Sequence, residues 1–192
     1  MTKLAIALFC LALASGACAQ NGRQFSGQSF GFSVPKPQQF VVAQCTLKVG
    51  SARGVLSFSQ IGNGPTMIKG FVSNVTPGKH GWHVHEFAVS NGDCATAGGH
   101  FNPDGVPHGD RTAAVRHVGD LGNFLANKKG VAPISLQDDI ISLTGPADRS
   151  IIGRSIVIHG GVDDLGLGGD AGSVASGNSG ARVGCCTINK VI

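Results

Sequence analysis

Between Val41 and Ile188 the apolar residues come in short runs, each broken by glycine, proline, asparagine or aspartate. The runs are Val41–Lys48, Gly54–Gln60, Thr66–Val75, Trp82–Glu86, Val131–Ser135, Ile140–Leu143, Ser155–His159 and Ala181–Ile188. Valine, isoleucine, threonine and phenylalanine fill them, and apolar positions tend to alternate with polar ones. That period of two is the mark of a half-buried strand. No stretch carries a convincing 3.6-residue period, so the pattern predicts an all-β chain of about eight short antiparallel strands, a sandwich or barrel. Two long excursions interrupt it, roughly 87–120 and the glycine-rich 160–180. Loops longer than about 15 residues in compact domains are usually functional or disordered. No internal repeat is evident.

The first twenty residues, MTKLAIALFCLALASGACAQ, follow a different pattern. Lys3 gives a short positive start, Leu4 to Ala14 an apolar segment, and Ala17-Cys18-Ala19 a small-residue cleavage site. Residues 1–19 therefore read as a secretory signal peptide, too short and wrongly flanked for a membrane anchor. A lipoprotein acylated at Cys18 is the weaker reading, because Ser15 stands where an aliphatic residue is expected. Residues 20–39, polar and rich in Gly, Ser and Gln, read as a flexible leader. Residues 40–192 then form one domain, large enough for its own core.

Export changes how the cysteines are read. Cys45, Cys94, Cys185 and Cys186 survive cleavage, and four cysteines allow three fully paired arrangements. A bond between the adjacent Cys185 and Cys186 would be strained, which favours pairing one of them with Cys94. The other is either free or paired with Cys45. Net charge is +3 after cleavage, with 14 basic and 11 acidic residues. The basic residues are scattered, so the chain has no signature for nucleic acid or a membrane surface. Asn74-Val75-Thr76 matches the N-glycosylation acceptor pattern, with Pro77 directly after it counting against its use.

Chemistry concentrates between Gly81 and Asp120, which hold five of the seven histidines. His83 and His85 lie two apart on an expected strand, so both imidazoles share one face. His100, His108 and His117 follow in the long loop, then Asp120; His159 ends the apolar run Ile156-Val157-Ile158. A lone histidine on a strand is more often a satisfied core or surface residue than a ligand. Five of them with an aspartate in forty residues point to a metal instead, and imidazoles suit copper or zinc far better than calcium or magnesium.

The segments GWHVHEF, RHVGDLGN, IIGRSIVIHGGVDDLG and SGNSGARVGCC, with the spacing Cys94, His100, His108, His117, Asp120, resemble the secreted copper–zinc superoxide dismutases. The resemblance runs from about Val41 to Ile188. It implies an eight-stranded antiparallel Greek-key β-barrel with two long functional loops and a two-metal site on its wall. By the same resemblance His83, His85, His100 and His159 bind copper, and His100, His108, His117 and Asp120 bind zinc, with His100 bridging the two. Asp163 corresponds to the carboxylate that links His83 and His108. Arg182 corresponds to the arginine that guides superoxide, and the bridge His100 to a proton donor in forming peroxide. Cys94 is implied to pair with Cys185, leaving Cys45 and Cys186 as a possible second pair. His80 matches a structural position.

The implied activity is disproportionation of superoxide to oxygen and hydrogen peroxide outside the cell. A metal-storing protein and a copper-chaperone module are the competing readings, the latter disfavoured because no copper ligand is missing. Three departures from the family stand out. Ala171, Gly172 and Ala175 replace its usual acidic pair and lysine, leaving Asp170 as the only charge there. Thr187 and Lys190 stand where apolar contacts of the usual homodimer are expected. Cys186 replaces the glycine general among cytosolic members.

Overall fold

The computed structural model describes residues 38–192, so the expected signal peptide and nearly all of the expected leader lie outside the described residues. The described chain forms ten strands: β1 (Phe40–Leu47), β2 (Val49–Gly50), β3 (Arg53–Ile61), β4 (Thr66–Ser73), β5 (Gly78–His85), β6 (Asp120–Ala126), β7 (Val131–Asp138), β8 (Ser155–His159), β9 (Arg182–Thr187) and β10 (Asn189–Lys190). Only β2 and β10 are two residues long, which leaves eight strands of substance. They build two antiparallel sheets, β10-β1-β3-β4-β7 and β2-β9-β8-β5-β6. After β4 the chain crosses to the second sheet for the β5–β6 pair. It returns to lay β7 beside β4, then crosses again to lay β8 beside β5. These returns to non-sequential neighbours are the Greek-key arrangement.

Alternation along each strand sorts residues between core and solvent. On β1, Val41, Ala43, Cys45 and Leu47 are buried while the residues between them are not, and Leu56 and Phe58 of β3 and Ile68 and Val72 of β4 continue the same interior. Fully burying a side chain of this size stabilises by about 1.5–3 kcal/mol. Trp82, Val84, Ile156 and Ile158 face them from the second sheet. Among the described residues no helix is long and apolar enough to cross a membrane.

The strand pattern read from sequence needs three corrections. β6 escaped notice because Gly122 and Asn123 interrupt its apolar residues, and Gly122 takes φ 74° beside a register shift opposite Gly81–His83. Ile140–Leu143 is not a strand. Ile141 and Leu143 plug the end of the core, while the Gln60 carboxamide oxygen accepts from Leu143 N (2.6 Å) and Thr144 N (3.1 Å). A short helix, α1 (Ala171–Ser176), lies in the second long loop; six residues are too few to display a period. Asp170 caps it, accepting from Ser173 N (2.9 Å), so the charge left beside the positions of the family's acidic pair and lysine is a capping group.

Strand alternation also explains the adjacent cysteines. Successive residues of β9 point to opposite faces, so Cys186 enters the barrel core and is bonded to Cys45 of β1. Cys185 faces outward with Val157 and is bonded to Cys94 in the first long loop.

Candidate metal centre

β5 is buried along nearly its whole length, and its two faces do different work. Trp82 and Val84 point into the barrel. His83 and His85 point outward, beneath the two long loops, and are 0% and 1% exposed. The first loop is laid against β5 almost as an extra strand. Glu86 N donates to Gly99 O (3.0 Å), Phe101 N to Val84 O (2.9 Å) and Val84 N to Gly119 O (2.9 Å). These bonds place His100 beside His85. His159 arrives on β8, which pairs with β5.

The donors of His83, His85, His100 and His159 lie within 4.8 Å of one another. Each ring is oriented by one nitrogen and leaves the other free. His83 Nε2 donates to Asp163 Oδ2 (2.8 Å), His85 Nδ1 to Gly98 O (2.9 Å) and His159 Nδ1 to Gly180 O (3.0 Å). The remaining atoms, His83 Nδ1, His85 Nε2, His100 Nε2 and His159 Nε2, are buried without a hydrogen-bond partner among the described residues. An unsatisfied buried polar atom costs about 1–3 kcal/mol, so four converging on one point require an occupant.

A second group lies behind the first. His100 Nδ1 and His108 Nδ1 are each 3.0 Å from Asp120 Oδ1, and His117 Nδ1 is 3.1 Å away. His117 Nδ1 is also 3.3 Å from His100 Nδ1. Ligands on a tetrahedral zinc with bonds of about 2.0 Å stand about 3.3 Å apart, so these spacings fit a closed four-ligand site. His83 is near enough to fall within reach of this group, but its Nε2 is committed to Asp163 and its Nδ1 belongs with the first. His100 has one nitrogen in each group.

In the first group the electrostatics favour ligand-competent forms. Burial drives the His83 imidazole down to about 3 and His159 down to about 4, and it lowers His85 and His100 as well. These rings are neutral and hold open lone pairs. Burial works against the charged form of His108 too, but Asp120 and Asp163 facing its two nitrogens outweigh it and lift the ring to about 9. Burial likewise opposes the Asp120 carboxylate, yet His100, His108 and His117 around it hold it far below the ordinary range. Its second oxygen accepts from Gly109 N (3.0 Å) and His117 N (2.8 Å).

Residues 52–188 match the family model described as copper/zinc superoxide dismutase. The chain is 46% identical over 153 residues to superoxide dismutase (Cu-Zn) 4 of Dictyostelium discoideum, covering 79% of this chain and 99% of that one. It is 48% identical over 147 residues to superoxide dismutase (Cu-Zn) of Onchocerca volvulus, covering 74% and 92%. The chain belongs to the copper/zinc superoxide dismutase family. Copper and zinc are its metals, superoxide is its substrate, and the all-β fold is the family's.

In this dismutase Arg182 stands beside the first histidine group, paired in register with His159. Its guanidinium donates to Cys94 O (2.7 Å) and Gly98 O (2.6 Å). Gly98 O therefore orients both Arg182 and His85. Asp163 joins the two histidine groups, with His83 Nε2 on one oxygen and His108 Nε2 on the other, each at 2.8 Å. The Asn123 carboxamide fixes Asp163 in turn, its Nδ2 donating to Asp163 O and its Oδ1 accepting from Asp163 N, each at 2.9 Å. His80 lies outside both groups, with Nδ1 2.8 Å from His159 O.

Sequence reasoning missed the supports. Gly98 and Gly180 act through carbonyl oxygens, which carry no residue signature. Gly177 is needed for space, since it takes φ 70° and a Cβ there would collide with Asp163 Oδ1. Gly177→Ala is expected to part Asp163 from His108 and weaken metal retention by the second group about 10–100-fold, the usual cost of losing a supporting bond to a metal-binding ring. Zinc competition with a chromophoric chelator measures it, and unchanged affinity refutes the role given to Asp163.

Proposed function

We propose that His83 Nδ1, His85 Nε2, His100 Nε2 and His159 Nε2 hold copper, while His100, His108 and His117 through Nδ1, with Asp120 Oδ1, hold zinc. His100 is shared between them. The single observation carrying this reading is the set of buried, unpartnered ring nitrogens aimed at one point, backed by a second donor set with tetrahedral spacing. Copper held there would supply the redox chemistry, Cu(II)/Cu(I), needed for one superoxide to be oxidised to O₂ and another, with two protons, to be reduced to hydrogen peroxide. Zinc has no redox chemistry and fixes geometry.

The chain's own work is to draw in, orient and protonate. Arg182 presents a permanent positive charge at the mouth of the copper set, held by two loop carbonyls so that its position is set before the anion arrives. His100 Nε2, when it is not ligating copper, would carry a proton for the peroxide-forming half, as the family resemblance implies. Residues 1–19 direct export, residues 20–39 form a leader and residues 40–192 the enzyme. Two disulfides suit an oxidising compartment and support an antioxidant role outside the cell.

Metal storage is the competing reading. Arg182→Ile separates the two, because it removes the anion-guiding charge without touching a proposed ligand. Superoxide consumption per bound copper is expected to fall at least about tenfold at low salt, the lower end of what electrostatic guidance contributes. An unchanged rate at unchanged metal content favours storage.

A further inference from the structure

We propose that Asn74 carries an N-linked glycan; the proposal rests on the export reading above. Asn74-Val75-Thr76 is the only Asn-x-Ser/Thr sequence in the chain, and it falls on the turn between β4 and β5. Asn74 and Thr76 are exposed, and Val75 between them packs against the core, so the turn presents the acceptor and the hydroxyl outward while anchored through its centre. Proline bars the acceptor sequence at the middle position, which here is valine; Pro77, directly after Thr76, counts against use of the site but leaves the acceptor pattern intact.

Turn geometry explains part of this motif but not all of it. Asn74 has φ 58°, a left-handed conformation that asparagine tolerates well. That accounts for the asparagine and asks nothing of the residue two positions on. Nor does the neighbouring His80 need the Thr76 hydroxyl, because its Nε2 already lies 2.7 Å from Thr76 O, against 3.3 Å to the hydroxyl. The fold can also accept the sugar. Asn74 Nδ2 donates to Ser51 O (2.8 Å), and an amide bearing a sugar keeps one N–H for that bond. Beside it runs a shallow groove lined by Ser51, Val75, Pro77 and Val183, whose apolar walls suit the flat face of a first sugar ring. Neither Cys94 nor Gly98, whose carbonyls hold Arg182, lines this groove, although Gly160 and Val183, next to His159 and Arg182 in the chain, do.

The test expresses the full chain in eukaryotic cells, once on its own N-terminus and once behind a borrowed signal sequence. Exported protein is treated with peptide N-glycosidase in heavy-oxygen water and mapped by mass. The expected result is a glycan mass lost on digestion, with Asn74 converted to heavy-labelled aspartate. Asn74→Gln and Thr76→Val should be exported bare, and Thr76→Ser should remain modified. Wild type exported at the bare polypeptide mass overturns the proposal. Glycosylation on the borrowed signal alone supports the site and instead overturns the export reading.

Discussion

His100→Ala is expected to disturb both metals at once. The substitution removes one ligand from each proposed site and deletes the only ring whose two nitrogens face both groups. Loss of a single supporting hydrogen bond already costs about 10–100-fold in metal affinity. Loss of a direct ligand should cost at least the upper end of that range for zinc, and it should shift the visible spectrum of the copper that still binds. The fold should survive, since the loop is tied to β5 by the backbone of Gly99, Phe101 and Gly119 and not by the His100 ring. Zinc content, the copper absorption band and far-ultraviolet circular dichroism on one preparation test all three statements. A variant that loses normal copper and keeps normal zinc, or the reverse, refutes the shared ring.

The ease with which this centre is seen in the sequence has a physical cause. A pair of histidines two apart on a strand share a face whatever the strand's neighbours are, so His83 and His85 declare themselves. The density of imidazoles after them leaves few explanations besides a metal. Pairing across the barrel follows no such local rule. β6 carries Gly122 and Asn123 in its middle because it must bend beside β5, and those residues are the ones that mark turns elsewhere. Ile140–Leu143 fails in the opposite sense, since its apolar residues plug a core while its N–H groups are taken by the Asp138 side chain, by Arg149 O and, at Leu143, by the Gln60 side chain 83 residues away. The role proposed for Arg182 is legible only through the family pattern. Its charge is visible in any sequence, but the carbonyls of Cys94 and Gly98 that aim it are fixed by tertiary structure alone.

On the role proposed for Arg182, those carbonyls connect one of the two disulfides to catalysis. Cys94–Cys185 and Cys45–Cys186 link residues 91 and 141 positions apart. The loop-entropy model credits closures of this length with about 4–5 kcal/mol each, while measured effects are more often about 2–4 kcal/mol. Replacing either pair by alanine is therefore expected to lower stability by a similar amount, a drop of order 10 °C in melting temperature for a domain of this size. The two variants should part company in rate. Cys45–Cys186 sits inside the barrel and supplies neither of the carbonyls that hold Arg182, so its removal should leave the rate per bound copper unchanged. Cys94–Cys185 anchors the segment whose carbonyls, Cys94 O and Gly98 O, hold the Arg182 guanidinium. Freed from that bond, the segment holds the arginine less firmly, and the rate per bound copper should fall about tenfold, toward that of Arg182→Ile. Calorimetry and superoxide kinetics on metal-matched samples separate the two effects. Equal rates in the two cysteine variants would mean that Arg182 is held in place without the disulfide's help.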